Sequence, residues 1–262
     1  MRVVPDAYYL PLGDDRYIAT EHTQGPWDRG LQHGGPPSAL LAREVERIPA
    51  DDPRIVVRLA IDLLGPVPVG EVELASRVLR PGRKVELVEA ELSTGDRVAV
   101  RARAWRLRSA TLELPDGADA RRAAPAFPDT DTPSAPGWAG GFIDSLQARF
   151  SEGGWNAAGP ATMWARMRGP LVAGEQPTGL QRLMVLADCG NGISSRLPIA
   201  TWMFINPDLD VHLGRQPEGE WLCLEAETSI DPAHGFGLAA SRLYDRTGQV
   251  GTGAQSLFVT PR

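Results

Sequence analysis

Two places in the chain combine residue types suited to chemistry. The first is Asp188, which ends an apolar run containing Leu180, Leu183, Met184, Leu186 and Ala187. That spacing predicts a helix apolar around much of its circumference, and therefore a buried one. A carboxylate at the end of such a helix has lost solvent and faces the negative end of the dipole. Both effects disfavour the anion and move it toward the working range of a general base. A solvated helix-end residue bonded to loop amides would have the same spacing. The second place is Gln32-His33-Gly34-Gly35, followed by Pro36-Pro37. Proline is tolerated in a first helical turn, and glycine lets another group approach the backbone closely. Helix-start amides would suit the oxyanion of an acyl-transfer intermediate. A Gly-Gly turn that only lets the chain enter a helix is written the same way.

Other signatures are missing or fail in context. The sequence has no GxSxG nucleophile elbow and no GxxxxGK[ST] phosphate loop. Gly235-Phe236-Gly237-Leu238-Ala239-Ala240 matches GxGxxA, but Pro232 precedes it and a turn at Asp245–Gly248 follows too soon for a helix, so it reads as a strand. His22, His33, His212 and His234 show no metal-ligand spacing, and Cys189 and Cys223 form no CxxC. No metal, cofactor or disulfide framework is expected.

The elements that must position these residues fall into two similar halves. In the first, a strand begins at Arg16, and Leu41, Val45 and Ile48 predict a helix over 36–48. Strands are then expected at 55–64, 71–79, 85–92 and 97–107; in the last, Val98, Val100, Ala102 and Ala104 alternate with Arg101, Arg103 and Trp105. In the second half a strand at 161–168 precedes a helix over 178–191, opened by the capping-box spacing Thr178-Gly-Leu-Gln181. Strands follow at 199–205, 210–214, 220–229, 237–244 and 250–259. Residues 109–137, rich in Ala, Pro and Asp without either periodicity, read as a loosely held connector. The expected organisation is therefore 1–108, a connector at 109–137, and 138–262. Each half predicts an antiparallel sheet wrapped around one long helix, because the turns between strands are too short for parallel crossovers.

The HGG start of the first helix, the ADCGNG end of the second and the tail WLCLEAETS…LYDRTGQVGTGAQSLFV together resemble the double-hotdog acyl-CoA thioesterases, an α+β fold. The likeness is nearest to the acyl-CoA thioesterase II branch and the thioesterase-like proteins of actinobacteria, and it extends over nearly the whole chain outside the connector. The resemblance implies hydrolysis of a fatty acyl-CoA thioester by a positioned water, without metal or covalent intermediate. It implies catalytic roles for Asp188, for Gln255 in the last strand, and for a hydroxyl residue whose place falls at Asn206. Asn206 departs from the family in lacking the hydroxyl, although its amide can both donate and accept. A one-residue gap leaves Thr201 and Asp208 as neighbours for that role. His33, Gly34 and Gly35 would face the substrate.

The fold alone also admits a non-catalytic acyl-CoA binder, which Asn206 keeps open, whereas the Asp–His pattern of the hotdog dehydratases is not found. Arg80, Arg83 and Lys84 in the RPGRK turn are weak candidates for the CoA phosphates. Lys and Arg number 27 against 33 Asp and Glu, a net charge of −6, which implies no basic face for nucleic acid. No stretch approaches the roughly 18 apolar residues of a membrane span. Pro5, Asp6, Asp14 and Asp15 interrupt any signal-peptide core. A cytoplasmic protein, with no membrane partner and a possible homo-oligomeric state, is expected.

Overall fold

A computed structural model describes residues 7–134 and 139–262; Pro5, Asp6 and the end of the connector lie outside the described residues. In the first half the strands are β1 (Tyr9–Gly13), β2 (Arg16–Ala19), β3 (Arg54–Leu63), β4 (Glu71–Arg80), β5 (Val85–Thr94) and β6 (Arg97–Arg108), with helix α1 (Gly35–Arg47) between β2 and β3. The second half contains β7 (Leu146–Glu152), β8 (Ala161–Met167), helices α2 (Gly179–Ala187) and α3 (Gly190–Ile193), then β9 (Trp202–Ile205), β10 (Asp208–Leu213), β11 (Leu222–Asp231), β12 (Phe236–Asp245) and β13 (Gly248–Pro261).

All thirteen strands join one antiparallel sheet, in the order β1-β2-β4-β5-β6-β3-β10-β13-β12-β11-β8-β7, with β9 added beside β13. The order runs through matching strands from either end and meets at β3 and β10, where Ile61 pairs Leu209 and Leu59 pairs Val211. Alternation decides which face is inside. In β6, Val100, Ala102 and Ala104 are buried, while Arg101 and Arg103 point outward to pair with Glu89 and Glu91 of β5. The inward rows pack on α1 and α2 through Leu40, Leu41, Val45, Leu183, Met184 and Leu186. Arg106 breaks the inward apolar rule because its guanidinium donates to the carbonyls of Val45 and Ile48, closing the end of α1.

The two helices run antiparallel. The start of α1 lies against the end of α2, where a Cβ on Gly35 would be 2.3 Å from the Val185 carbonyl oxygen. At the other end Glu46 accepts from Thr178 and Gln181 at the α2 N-terminus. The expected single helix over 178–191 is interrupted. Asp188 and Cys189 form a turn between α2 and α3, in which the Cys189 amide reaches back three residues to Leu186 at 2.9 Å. Gly190 and Gly192, poor helix formers, leave only one further turn. Strands β1 and β7 were not foreseen from the sequence.

Part of the connector is docked rather than loose. Phe127 packs edge-on between Trp164 and Trp221, and Trp164 Nε1 donates to the Ala126 carbonyl at 3.0 Å. Asp131 holds Arg149 and Gln147. The GxGxxA segment is strand β12, with Gly235 in the preceding turn at a φ of 69°. Among the described residues no helix is long and apolar enough to cross a membrane.

Candidate active site

Three separate elements bring polar side chains to the break between α2 and α3. Asp188 is there because the helix stops there, and packing around it leaves it only 5% exposed. Asn206, in the tight connection between β9 and β10, donates from Nδ2 to Asp188 Oδ1 at 2.8 Å, and its second hydrogen goes to the Asp208 carbonyl. Gln255 faces inward from β13 and donates from Nε2 to the same Oδ1 at 3.0 Å, while its Oε1 accepts the Asn191 amide at 3.0 Å. Gly190 makes room for it: a Cβ there would lie 2.7 Å from Gln255 Oε1.

The other side of the carboxylate meets the start of α1. The Gly34 amide donates to Asp188, and His33 Nδ1 lies 3.2 Å from Oδ2. The His33 ring is stacked on Phe142 with centroids 4.1 Å apart, and Nδ1 accepts the Gly35 amide at 3.1 Å. Burial pushes the Asp188 carboxyl above its ordinary range; His33, Asn206, Gln255 and Gly34 pull it back only in part. Burial also lowers His33, against the pull of Asp188. A carboxylate presents about four acceptor directions. Asn206, Gln255 and Gly34 fill three, so one remains, on Oδ2, the oxygen that faces His33 Nδ1.

Asp188, Asn206, Gln255, His33 and Gly34 thus converge, with Gly35 one residue behind. Of the neighbours considered for the hydroxyl role, Asp208 is turned to the amide and hydroxyl of Ser256, and Thr201 is exposed. The closeness of His33 to Asp188 was not legible as an Asp–His pattern, because 155 positions separate them (188 − 33). Asn191 and Phe142 were also missed. Asn191 lies within the ADCGNG motif itself, whereas nothing in the sequence marks Phe142. Arg80 donates to the Val85 carbonyl, and Arg83 and Lys84 are exposed on the same turn.

Residues 23–107 match the model of the acyl-CoA thioesterase N-terminal domain, and residues 118–259 match that of the acyl-CoA thioesterase C-terminal domain. The chain belongs to the acyl-CoA thioesterase family, and with it to the thioester hydrolases. No curated protein matches it by sequence. Among solved structures, a conserved protein of unknown function with hot dog fold from Alicyclobacillus acidocaldarius superposes with a TM-score of 0.73 at 13% identity, covering 99% of this chain and 98% of that one. The tesB protein of Mycobacterium avium subspecies paratuberculosis gives 0.66 at 17% identity, covering 97% and 96%. An acyl-CoA thioesterase II from Mycobacterium marinum gives 0.65 at 13% identity, with the same coverage. At these identities the likeness establishes the hotdog fold.

Proposed function

We propose that the protein hydrolyses fatty acyl-CoA to free acid and CoA, with Asp188 as general base and Asn206 and Gln255 as the residues that orient it and its water. The carrying observation is that both amides donate to one oxygen of a buried carboxylate, 2.8 and 3.0 Å away, and leave the other oxygen an acceptor direction. A water donating into that direction would have its remaining lone pairs turned outward, toward a thioester carbonyl carbon. As its oxygen forms the new C–O bond, its proton passes to Asp188. Collapse of the tetrahedral intermediate then breaks the C–S bond, and the departing CoA thiolate takes up the proton held by Asp188, which returns the carboxylate to its starting state. Thioesters need little more than this, because positioning and charge stabilisation supply much of the barrier reduction.

In this reading the halves 1–108 and 138–262 act as two hotdog units joined by 109–137, and the site forms where the helix of one meets the helix of the other. An apolar hollow of about 290 Å³ beyond α3, lined by Trp155, Leu197, Ile199 and Phe204, offers space for an acyl tail. Asn191 links it to the site by donating to the Phe204 carbonyl. The test is release of CoA thiol over a panel from acetyl- to palmitoyl-CoA. Turnover of at least one member is expected. Binding of acyl-CoA without thiol release from any of them would overturn the hydrolase reading in favour of a binder.

A further inference from the structure

A thioester hydrolase needs a donor for the carbonyl oxygen, which gains charge as water adds. The start of a helix ordinarily offers free amides for this. Here it offers none. The His33 amide donates to the Thr23 carbonyl at 2.8 Å. The Gly34 amide goes to Asp188 and the Gly35 amide to His33 Nδ1. Pro36 and Pro37 have no N–H, and the Ser38 amide reaches back to the Gly34 carbonyl at 3.2 Å. Every backbone donor from 33 to 38 is engaged or missing.

The imidazole supplies what the backbone does not. Because Nδ1 accepts the Gly35 amide, its lone pair is in use, and a neutral ring must carry its proton on Nε2. Stacking on Phe142 at an interplanar angle of 17° fixes the plane in which that N–H points. Nε2 has no hydrogen-bond partner among the described residues, and the His33 side chain keeps 13% of its exposure. A proton on Nδ1 would find Asp188 Oδ2 at 3.2 Å but would set that N–H against the Gly35 N–H at 3.1 Å. The backbone amide can only donate, whereas the buried carboxyl can itself carry a proton toward Nδ1, so the Gly35 contact decides the tautomer.

We infer that His33 is a catalytic residue held as the neutral Nε2–H tautomer by the Gly35 amide, and that this N–H donates to the thioester carbonyl oxygen while Asp188 takes the proton of water. The inference rests on the hydrolase reading above. Burial, which lowers the His33 pKa, acts in the same direction by keeping the ring neutral near pH 7. Such a donor polarises a carbonyl without giving up its proton, a pattern known in other enzymes.

The tautomer can be read without turnover. In protein labelled with ¹⁵N, the His33 signals are those lost in His33→Gln. Near pH 7 they should show a protonated Nε2 and an unprotonated Nδ1; a protonated Nδ1 would overturn the inference. Adding acetyl-CoA's ketone analogue, in which CH₂ replaces sulfur, should shift the Nε2–H resonance downfield, and binding of that analogue without a shift would overturn the carbonyl contact. In thiol release, His33→Ala should lower kcat by about 10²–10³-fold with KM little changed, the usual loss for one oxyanion donor. His33→Gln, which retains an N–H, should recover part of that loss; a folded His33→Ala as active as wild type would also refute the role. If wild type released no thiol at all, the hydrolase reading would fail while the tautomer measurement remained informative.

Discussion

Gly34 lies so close to Asp188 that a Cβ at this position would sit 2.6 Å from the carboxylate oxygen Oδ2. The glycine is needed for that approach and not for its backbone, since φ −65° and ψ −21° are open to any residue. The approach places the positive end of the α1 dipole against a carboxylate that α2, by its own dipole, disfavours. Two helices from opposite halves therefore act on one acid with opposite signs, and only close contact lets the first offset the second.

This contact predicts a separation between neighbouring glycines. Gly34→Ala meets the end of a side chain, which can shift, so the fold should survive while the carboxylate moves off its partners. Gly35→Ala meets the Val185 carbonyl at 2.3 Å, which cannot move without α2. The expected result is a large loss of kcat with a smaller drop in Tm for Gly34→Ala than for Gly35→Ala. Gly35→Ala should lose about 1–3 kcal/mol in denaturant melts, the range for overpacking a tight core. Equal stability losses in the two variants would contradict the geometry.

Asp188→Asn should lower kcat for the best acyl-CoA by about 10²-fold or more, the scale for removing a positioned general base. Affinity for the substrate should change little, because the carboxylate acts on water. Since burial raises the Asp188 pKa, activity should fall on acidification as the base is protonated, with a midpoint above the ordinary aspartate value of about 4. Gln255→Ala should cost less in kcat than Asp188→Asn, because it orients without accepting the proton. A pH–rate profile of wild type, with kcat of the folded variants, decides it.

Much of the frame was legible because a half-buried sheet writes itself in period two: Val100, Ala102 and Ala104 against Arg101 and Arg103 could hardly be anything else. Strand β1 was not, since Tyr9–Gly13 is short, contains Pro11 and takes its place by pairing with β2 and bridging to Val172 far along the chain. The break after Ala187 was hidden by composition. Cys189 and Ile193 continue an apolar pattern across it, and only the backbone bond from Cys189 to Leu186 reveals the turn. Asp188, Gln255 and His33 could be picked out by type and motif. The use of the Gly34 and Gly35 amides could not, because it depends on where Asp188 and the His33 ring come to rest. Phe127 was likewise one aromatic in a stretch of Ala, Pro and Asp, and its two tryptophan partners lie 37 and 94 positions further on (164 − 127 and 221 − 127).

That anchoring sets an expectation for proteolysis. Residues 111–121 are exposed with few bonds beyond their own turns, whereas the Arg122 carbonyl accepts the Gln249 amide and Phe127 is wedged between tryptophans. Limited digestion should cut first within 111–121 and spare 122–134. Phe127→Ala should extend cutting into 122–134 while leaving the sheet intact by circular dichroism. First cuts of wild type within 122–134 would show that the docking is too weak to protect it.

The last prediction concerns stability and acid. Asp245 has a fully buried side chain and receives the Arg215 guanidinium through two contacts, the Glu218 amide at 3.0 Å, and the Thr247 amide and hydroxyl at 2.8 Å each. Burial alone would raise its pKa, but these donors win and hold it down at about 2. A pKa lowered on folding means that the unfolded chain binds the proton more readily. The stabilisation is therefore complete above the ordinary aspartate range near pH 4 and is lost as pH falls toward 2. Asp245→Asn leaves the partly buried Arg215 guanidinium without its counter-ion. The loss should fall below the roughly 3–5 kcal/mol of a fully buried broken pair, because Arg215 keeps some solvent and the carbonyls of Gln216, Gly248 and Gln249. Denaturant melts at pH 7, 4, 3 and 2.5 should show wild type losing stability steeply below pH 4. The variant should start lower and lose less over that interval, because the group that titrates there is gone; parallel curves would show that Asp245 is not the source of the acid sensitivity.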